Sequence, residues 1–277
     1  MPLTNVVDYF NVRLLALHPH ALLGQGASYL LHRGLLTAQV AGLILTPNPI
    51  PVHTATGELF GRRARFLVRD AAGHPARPES LHVQAWNAED MVFLDCFLRT
   101  FHALNHLHHG HDKRESLVLD VHLRHLAARP EHQGGDCEAL LHLLGLGPHQ
   151  IVLRLDAPTL HVDSHLQATA RKFTGRGYRL LAARPNLRNT DWDLLSALGV
   201  RWVAPHIRDL VAWQRDGNAG PARNGIALWL DGVDSLEDLA HARVLGAELI
   251  EPGLQLRATR QVTPRPVRTP TLAELSG

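Results

Sequence analysis

Residue types able to do chemistry cluster in only a few places along the chain. The densest cluster is His102, His106, His108, His109, His111 and Asp112. His102 and His106 stand four residues apart, the spacing that puts two ligands for zinc on one helix face. No Cys lies nearby and twenty His are scattered through the chain, so a solvated helix end is the favoured reading. An acidic turn, Asp231-Gly232-Val233-Asp234, follows the apolar run Ile226 to Leu230. Gly24-Gln25-Gly26 and Gly145-Leu146-Gly147 lack the strand–loop–helix context of a phosphate loop, and there is no Gly-x-Ser-x-Gly. Cys137 sits at a helix start with nothing tying it to a particular His. Cys96 and Cys137 have apolar, helical neighbours and are expected as buried free thiols of a reducing compartment.

The 277 residues suit one α/β barrel as well as two small domains, and 45% apolar content supplies a large core. The formal charge of +2 creates no field that would favour nucleic acid or an anionic membrane. Trp86, Trp192, Trp202, Trp213 and Trp229 are dispersed and form no stacking platform beside a basic stripe, so no nucleic-acid partner is expected. Trp213, between Arg208 and Arg215, is the one suited to an interface. There is no basic-then-apolar leader and no long uncharged apolar run, so no membrane span is expected, and the chain reads as soluble and cytoplasmic.

Residues 1–29 read as a lead-in with a short helix or two, interrupted by Pro19 and Gly24. Leu30 to Gln39 reads as helix and turn, Val40 to Leu45 as a first strand, and Leu59 to Val68 as a second after the Thr56-Gly57 turn. Ala88 to His108 is the longest helix candidate. Its stripe of Val92, Phe97, Phe101 and Leu104 reads as packing core rather than a partner-binding face. From Leu117 onward strand and helix alternate, with strands near 117–123, 151–155, 178–183, 200–204, 226–230 and 248–250. Thr190 is expected to cap the helix at 191–198. Ser235, with Asp238 three residues on, caps a helix whose apolar stripe is Leu236, Leu239, Ala240 and Leu245. Eight strands in this pattern favour a closed barrel over an open sheet. Residues 258–277, with three prolines, read as a loosely attached tail.

Asp231-Gly232-Val233-Asp234 followed by Val244-Leu245-Gly246-Ala247-Glu248 resembles the closing segment of the EAL domain, the family of cyclic di-GMP phosphodiesterases. The resemblance covers roughly residues 30–257. It implies an EAL-like (β/α)₈ barrel with one antiparallel strand, and a site where carboxylates and an Asn at the strand ends hold two divalent cations. Set against that pattern, the naming motif falls on Arg63-Ala64-Arg65, with Leu67 where a ligand-binding Arg is usual. The metal-binding Asn falls on Asp120, and the downstream Arg124 and Leu126 fit the family's spacing. Metal-binding Glu positions fall on Arg154 and Ala157. The Asp-Asp-Phe-Gly loop falls on Ala183-Arg184-Pro185-Asn186. A Lys falls near Ala204 and an Asp near His206. Asp231 and Asp234 keep their acidic character.

Arginine does not give up its proton. The expectation is therefore a degenerate barrel with no resident cofactor or metal, Arg63, Arg154 and Arg184 facing Asp120, Asp231 and Asp234 in an ion-pair network. Such a barrel is expected to bind a protein partner in bacterial signalling rather than to catalyse. Two alternatives stay open. In the first, the arginines cradle the phosphates of cyclic di-GMP without metal. In the second, Asp120, Asp231 and Asp234 hold one metal in a weak phosphodiesterase. Barrels of this family often pair through outer helices, which leaves a homodimer open.

Overall fold

The computed structural model describes residues 3–32, 34–109, 115–122, 135–216 and 225–253. In chain order these begin with α1 (Leu3–Leu17), β1 (Ser28–His32), β2 (Leu35–Val40), β3 (Leu43–Pro47), β4 (Ile50–Thr54), β5 (Leu59–Arg63), β6 (Phe66–Arg69) and β7 (Pro75–Ala76). Next come α2 (Glu79–His82), α3 (Ala88–His109), β8 (Ser116–Asp120), α4 (Gly135–Leu143), β9 (Ile151–Asp156), α5 (Ala157–Val162), α6 (Ser164–Gly175) and β10 (Arg179–Ala183). The series closes with α7 (Trp192–Ala197), β11 (Val200–Ala204), α8 (Ile207–Arg215), β12 (Ala227–Val233), α9 (Leu236–Val244) and β13 (Leu249–Pro252).

Eight of these strands close into a barrel in the order β10-β11-β12-β13-β4-β5-β8-β9. Only β4 runs against its neighbours, pairing antiparallel with both β5 and β13. The parallel strands read as unbroken apolar runs because both faces are covered, as in Leu117 to Leu119. Inside the barrel Val52, Val118, Val152, Leu181, Trp202 and Trp229 fill the axis. Outside it, Leu119, Leu153, Phe173, Leu180, Leu195 and Leu230 belong to a layer packed under the helices.

The remaining strands form a separate antiparallel sheet, β1-β2-β3-β6-β7. The chain crosses between sheet and barrel three times, at Asn48-Pro49, at Ala64-Arg65 and, after β7, through α2 and α3, and Asn48 N donates to Arg65 O across the first two crossings at 2.8 Å. α1 and α3 pack on this sheet around Phe10, Leu14, Tyr29, Leu36, Phe93 and Phe97. α3 touches β2 on one side and β8 on the other, so it joins the two layers.

Several local expectations need correction. Residues 30–39 form the β1–β2 hairpin, because strand pairing overrides a helix-like composition, and Gly34 supplies positive φ (78°) at its turn. The barrel's first strand is β4 rather than Val40 to Leu45, which belongs to the sheet. The single strand expected from Leu59 to Val68 is two strands in two sheets. The stretch expected to hold a short helix or two carries the 15-residue α1. The cap of α7 is Asp191, which accepts from Leu194 N, while Thr190 bonds Asn186 O. Ser235 and Asp238 do form the reciprocal cap of α9, yet Leu236 points to solvent, and Ala242 is the residue this helix buries.

Cys96 and Cys137 are buried but not free. They form a disulfide, because α3 and α4 pack closely enough to bring the two Cα atoms to 5.0 Å. Among the described residues no helix is long and apolar enough to cross a membrane. The expected tail at 258–277, together with Arg124 and Leu126, lies outside the described residues.

Candidate functional site

The C-terminal ends of the parallel strands place their last polar side chains around one barrel mouth. Arg63 closes β5 with its side chain 9% exposed. Its Nη1 donates to Glu251 Oε1 at 2.8 Å, its Nη2 to Asp120 Oδ2 at 2.9 Å and its Nε to Asp120 Oδ1 at 3.2 Å. Arg154 lies opposite Asp120 in the β8–β9 register. It donates from Nη2 to Asp231 Oδ2 at 2.8 Å and from Nη1 to Asp120 Oδ1 at 3.4 Å. In the barrel order β9 and β12 are separated by β10 and β11, so the Arg154–Asp231 pair spans the opening.

Two glycines let this mouth form. At Gly61 a Cβ would overlap the backbone of Ser116, so only glycine allows β5 and β8 to approach two residues before Arg63. Gly232 has φ +76°, and the His206 ring lies where its Cβ would be. That turn presents Asp231, whose N–H donates to Pro205 O at 3.2 Å.

Two guanidinium charges thus face three carboxylates. Burial opposes the charge on Arg63, but Asp120 and Glu251 outweigh it and hold the guanidinium more basic than usual. Burial likewise pushes Asp120 up, and Arg63 and Arg154 overcome it, leaving the carboxyl below its ordinary value. Glu251 goes the other way. Burial and then the nearby charge of Asp231 raise it above its ordinary value, against the pull of Arg63 and Arg154. Glu251 Oε2, Asp231 Oδ1 and Arg154 Nε have no hydrogen-bond partner among the described residues.

Arg184 and Asp234 stand apart from this group. Arg184, just past β10 with φ 54°, donates to Asp156 Oδ1 at 2.6 Å from a side chain 73% exposed. Asp156 also caps α5 through Thr159. The Asp234 carboxylate lies against the Gly253 backbone, and its own N–H donates to Asp238 Oδ2 at 3.0 Å. Ala157 opens α5, Ala204 is buried in β11, Leu67 is exposed on β6, and His206 caps α8 by accepting from Arg208 N at 3.2 Å.

No family model matches the chain, and no curated protein matches it. Structural comparison is different. The PaMucR phosphodiesterase in complex with c-di-GMP superposes with a TM-score of 0.64 at 14% identity, over 76% of this chain and 90% of that one. A standalone versatile EAL protein from Vibrio cholerae in its c-di-GMP-bound form gives 0.58 at 15% identity, over 75% and 89%. The Bacillus subtilis YkuI protein, with an EAL domain and solved with c-di-GMP and calcium, gives 0.59 at 13% identity, over 82% of this chain but 56% of its own. The barrel has the fold of EAL domains. The EAL-like barrel expected from the closing segment, with its one antiparallel strand, is therefore the observed architecture.

Within this EAL fold, the residue that strand-end reasoning passed over is Glu251. It ends the apolar run Leu249-Ile250 at the position where Arg63, Asp120 and Arg154 end theirs, and that shared pattern is the signal that could have found it. A cavity of about 260 Å³ lies beside the mouth, lined in part by Arg65, His102, Asp120 and His122. The Arg65 side chain has no hydrogen-bond or ion-pair partner among the described residues. His102 and His106 are not a solvated helix end. α3 is enclosed between sheet and barrel, so His106 is buried and His102 half-buried, and both are held below the usual histidine range, His102 down to about 4, by desolvation first. His102 packs against the rings of Phe66 and Phe101. Among the described residues no three His, Cys, Asp or Glu side chains group to hold a metal. His111 and Asp112 lie outside them.

Proposed function

We propose that this chain is a catalytically inactive EAL-fold barrel that works as a protein-binding regulatory module in bacterial signalling. The observation carrying the reading is the seating of Arg63 and Arg154 in the mouth, each bonded to two of its three carboxylates. Metal-dependent phosphodiester hydrolysis needs carboxylates free to offset about four positive charges and to bind an activating cation pair. A divalent ion about 4 Å from one guanidinium meets roughly 8 kcal/mol of repulsion at an effective dielectric of 20. The donor set does not fit such a pair of ions, even though two carboxylate oxygens lack hydrogen-bond partners among the described residues. The network supplies the mouth's charge balance instead.

The related folds named above were solved with c-di-GMP, so the test begins there. The purified chain is titrated calorimetrically with cyclic di-GMP in EDTA and then with Mg²⁺ or Ca²⁺, and hydrolysis is followed in parallel. The reading expects no metal-dependent binding and no turnover. Mg²⁺-dependent turnover that disappears in Asp231→Asn would overturn it. A second reading, a metal-independent cyclic di-GMP receptor, draws support from the cavity beside Asp120 and from Arg65, which lines it. Binding that persists in EDTA and weakens in Arg65→Ala would favour it.

A further inference from the structure

Five arginines among the described residues are drawn at least partly out of water: Arg62, Arg63, Arg99, Arg154 and Arg179. Buried charge is tolerated where it is paired, and four of the five obey that rule. Arg62 bonds Glu115, Arg63 bonds Asp120 and Glu251, Arg99 bonds Asp95, and Arg154 bonds Asp231. Arg179 has no carboxylate among the described residues. It is the first residue of β10, and Ser116 is the first of β8, so both stand at the N-terminal ends of their strands, away from the mouth. Side chains alternate along a strand, so Arg179 shares the inward face of Leu181, and Ser116 that of Val118. The guanidinium is therefore part of the barrel floor. Its Nη2 donates to Ser116 Oγ at 2.8 Å, across the intervening β9. Its carbon lies 5.4 Å from the centre of the Phe60 ring and 5.7 Å from that of Trp202. Burial pulls its pKa below the ordinary value, and no acid offsets that loss.

We infer that Arg179 anchors an oxyanion site in the barrel floor, one that takes a small carboxylate or phosphate from solution. The faces of Phe60 and Trp202 attract a cation but carry no net charge, so they do not neutralise it. Nε is buried without a hydrogen-bond partner, and Nη1 makes no bond among the described residues. Most of the fork is thus unused. Its planar spread of donors matches the paired oxygens of a carboxylate or phosphate, which Ser116 Oγ alone does not. The half-buried setting strengthens such a contact, because the local dielectric is lower than that of water. Neighbouring charge also permits an anion. The Arg201 guanidinium carbon lies 5.7 Å from the same Trp202 ring. The acid at this end, Glu248, is already engaged by Arg201 at 3.0 Å and by Trp202 Nε1 at 3.1 Å. The site stands at the other end of the barrel from Arg63 and Asp120, so it rests neither on the proposed loss of catalysis nor on nucleotide binding.

Titration of the full chain with sodium phosphate and with sodium acetate, at constant ionic strength, tests the inference. Intrinsic tryptophan fluorescence reads it, because Trp202 borders the guanidinium. At least one of the two anions is expected to give a saturating change with a midpoint of about 1 mM. Arg179→Met is expected to abolish saturation. Arg179→Lys keeps the charge but loses the fork, and is expected to weaken binding about tenfold, the value of one bond to a charged group. Circular dichroism establishes that each variant is folded, and the lysine variant decides alone if the methionine variant is not. Arg188→Gln, which removes an exposed arginine paired with Asp216, is expected to leave the curve unchanged. The thermal midpoint should also rise with anion concentration more steeply in the wild-type chain than in Arg179→Lys. A wild-type chain with no saturable change up to about 50 mM of either anion overturns the inference. So does a midpoint that neither Arg179 substitution moves, because the anion then sits elsewhere.

Discussion

Replacing Arg63 by Met keeps most of the buried stem and removes the charge, which makes it the sharpest probe of the mouth. Glu251, 6% exposed, would lose the guanidinium that bonds it at 2.8 Å, and Asp120 would lose its two-point partner. Removing one member of a buried ion pair costs about 3–5 kcal/mol, because the other charge stays buried and uncompensated. For a chain of this size that is a fall of about 10 °C in thermal midpoint. Protonation offers Glu251 an escape, since its pKa is already raised by burial and by Asp231. The loss is therefore expected to be largest near pH 8 and to shrink toward pH 5. Glu251→Gln placed in the Arg63→Met background removes the stranded charge and is expected to recover about half of the loss, a coupling that a double-mutant cycle reads directly. Thermal melts of the four proteins at pH 5 and pH 8 supply the numbers. A loss below about 1 kcal/mol for Arg63→Met, the value of an exposed pair, would refute the reasoning, as would a loss independent of pH.

The pH dependence of the unaltered protein follows from two opposed shifts. Glu251 is raised above its ordinary 4.5, so the stability linked to its proton is present at acid pH and is lost as pH rises through its folded value. Asp120 is lowered below its ordinary 3.8, so its contribution is present above that value and is lost as pH falls through the folded one. Urea midpoints across pH 3–9 should peak in the mildly acidic range, and Glu251→Gln should flatten only the alkaline side. Arg184 holds φ 54° and a single, largely exposed pair with Asp156, so Arg184→Gly should leave stability unchanged or raise it by up to about 1 kcal/mol in the same assay. Gly61→Ala should lower stability by about 1–3 kcal/mol or more, because its Cβ meets Ser116 backbone rather than a movable side chain. Cys96 and Cys137 close a loop spanning 41 positions, so replacing both by Ala should cost up to about 4 kcal/mol, and mass spectrometry without reductant should find the wild-type chain lighter than its dithiol form by two hydrogen atoms.

The barrel was legible because its strands are apolar runs ending in charge, and because Ser235 and Asp238 mark a helix start that local chemistry alone dictates. The resemblance to the EAL pattern placed Arg63, Asp120, Arg154 and Asp231 at the barrel mouth, where they do meet. It failed for Arg184, because a positive φ turns that residue out of the mouth toward the cap of α5, and dihedral angles are not written in composition. Glu251 was missed because a single acid after two apolar residues looks like a strand end facing water until the barrel closes around it. The β1–β2 hairpin was read as helix because Leu30 to Gln39 contains good helix formers, and only pairing between distant backbones decides otherwise. The pairing of Cys96 with Cys137 depends on α3 lying against α4, a contact between elements that no local spacing encodes.

The direct strand-to-strand crossings at Asn48-Pro49 and Ala64-Arg65 stitch the sheet to the barrel, so the molecule offers no seam along which to cut. A truncation that starts after residue 70 would discard β4 and β5 together with the sheet strands, opening the barrel and deleting Arg63. One that starts after residue 47 would keep the barrel strands but strip β6 of its partner β3. The sheet therefore cannot be treated as a detachable accessory. A load placed on it is passed along the backbone to Arg63, one residue from the crossing, and through that side chain to Asp120 and Glu251.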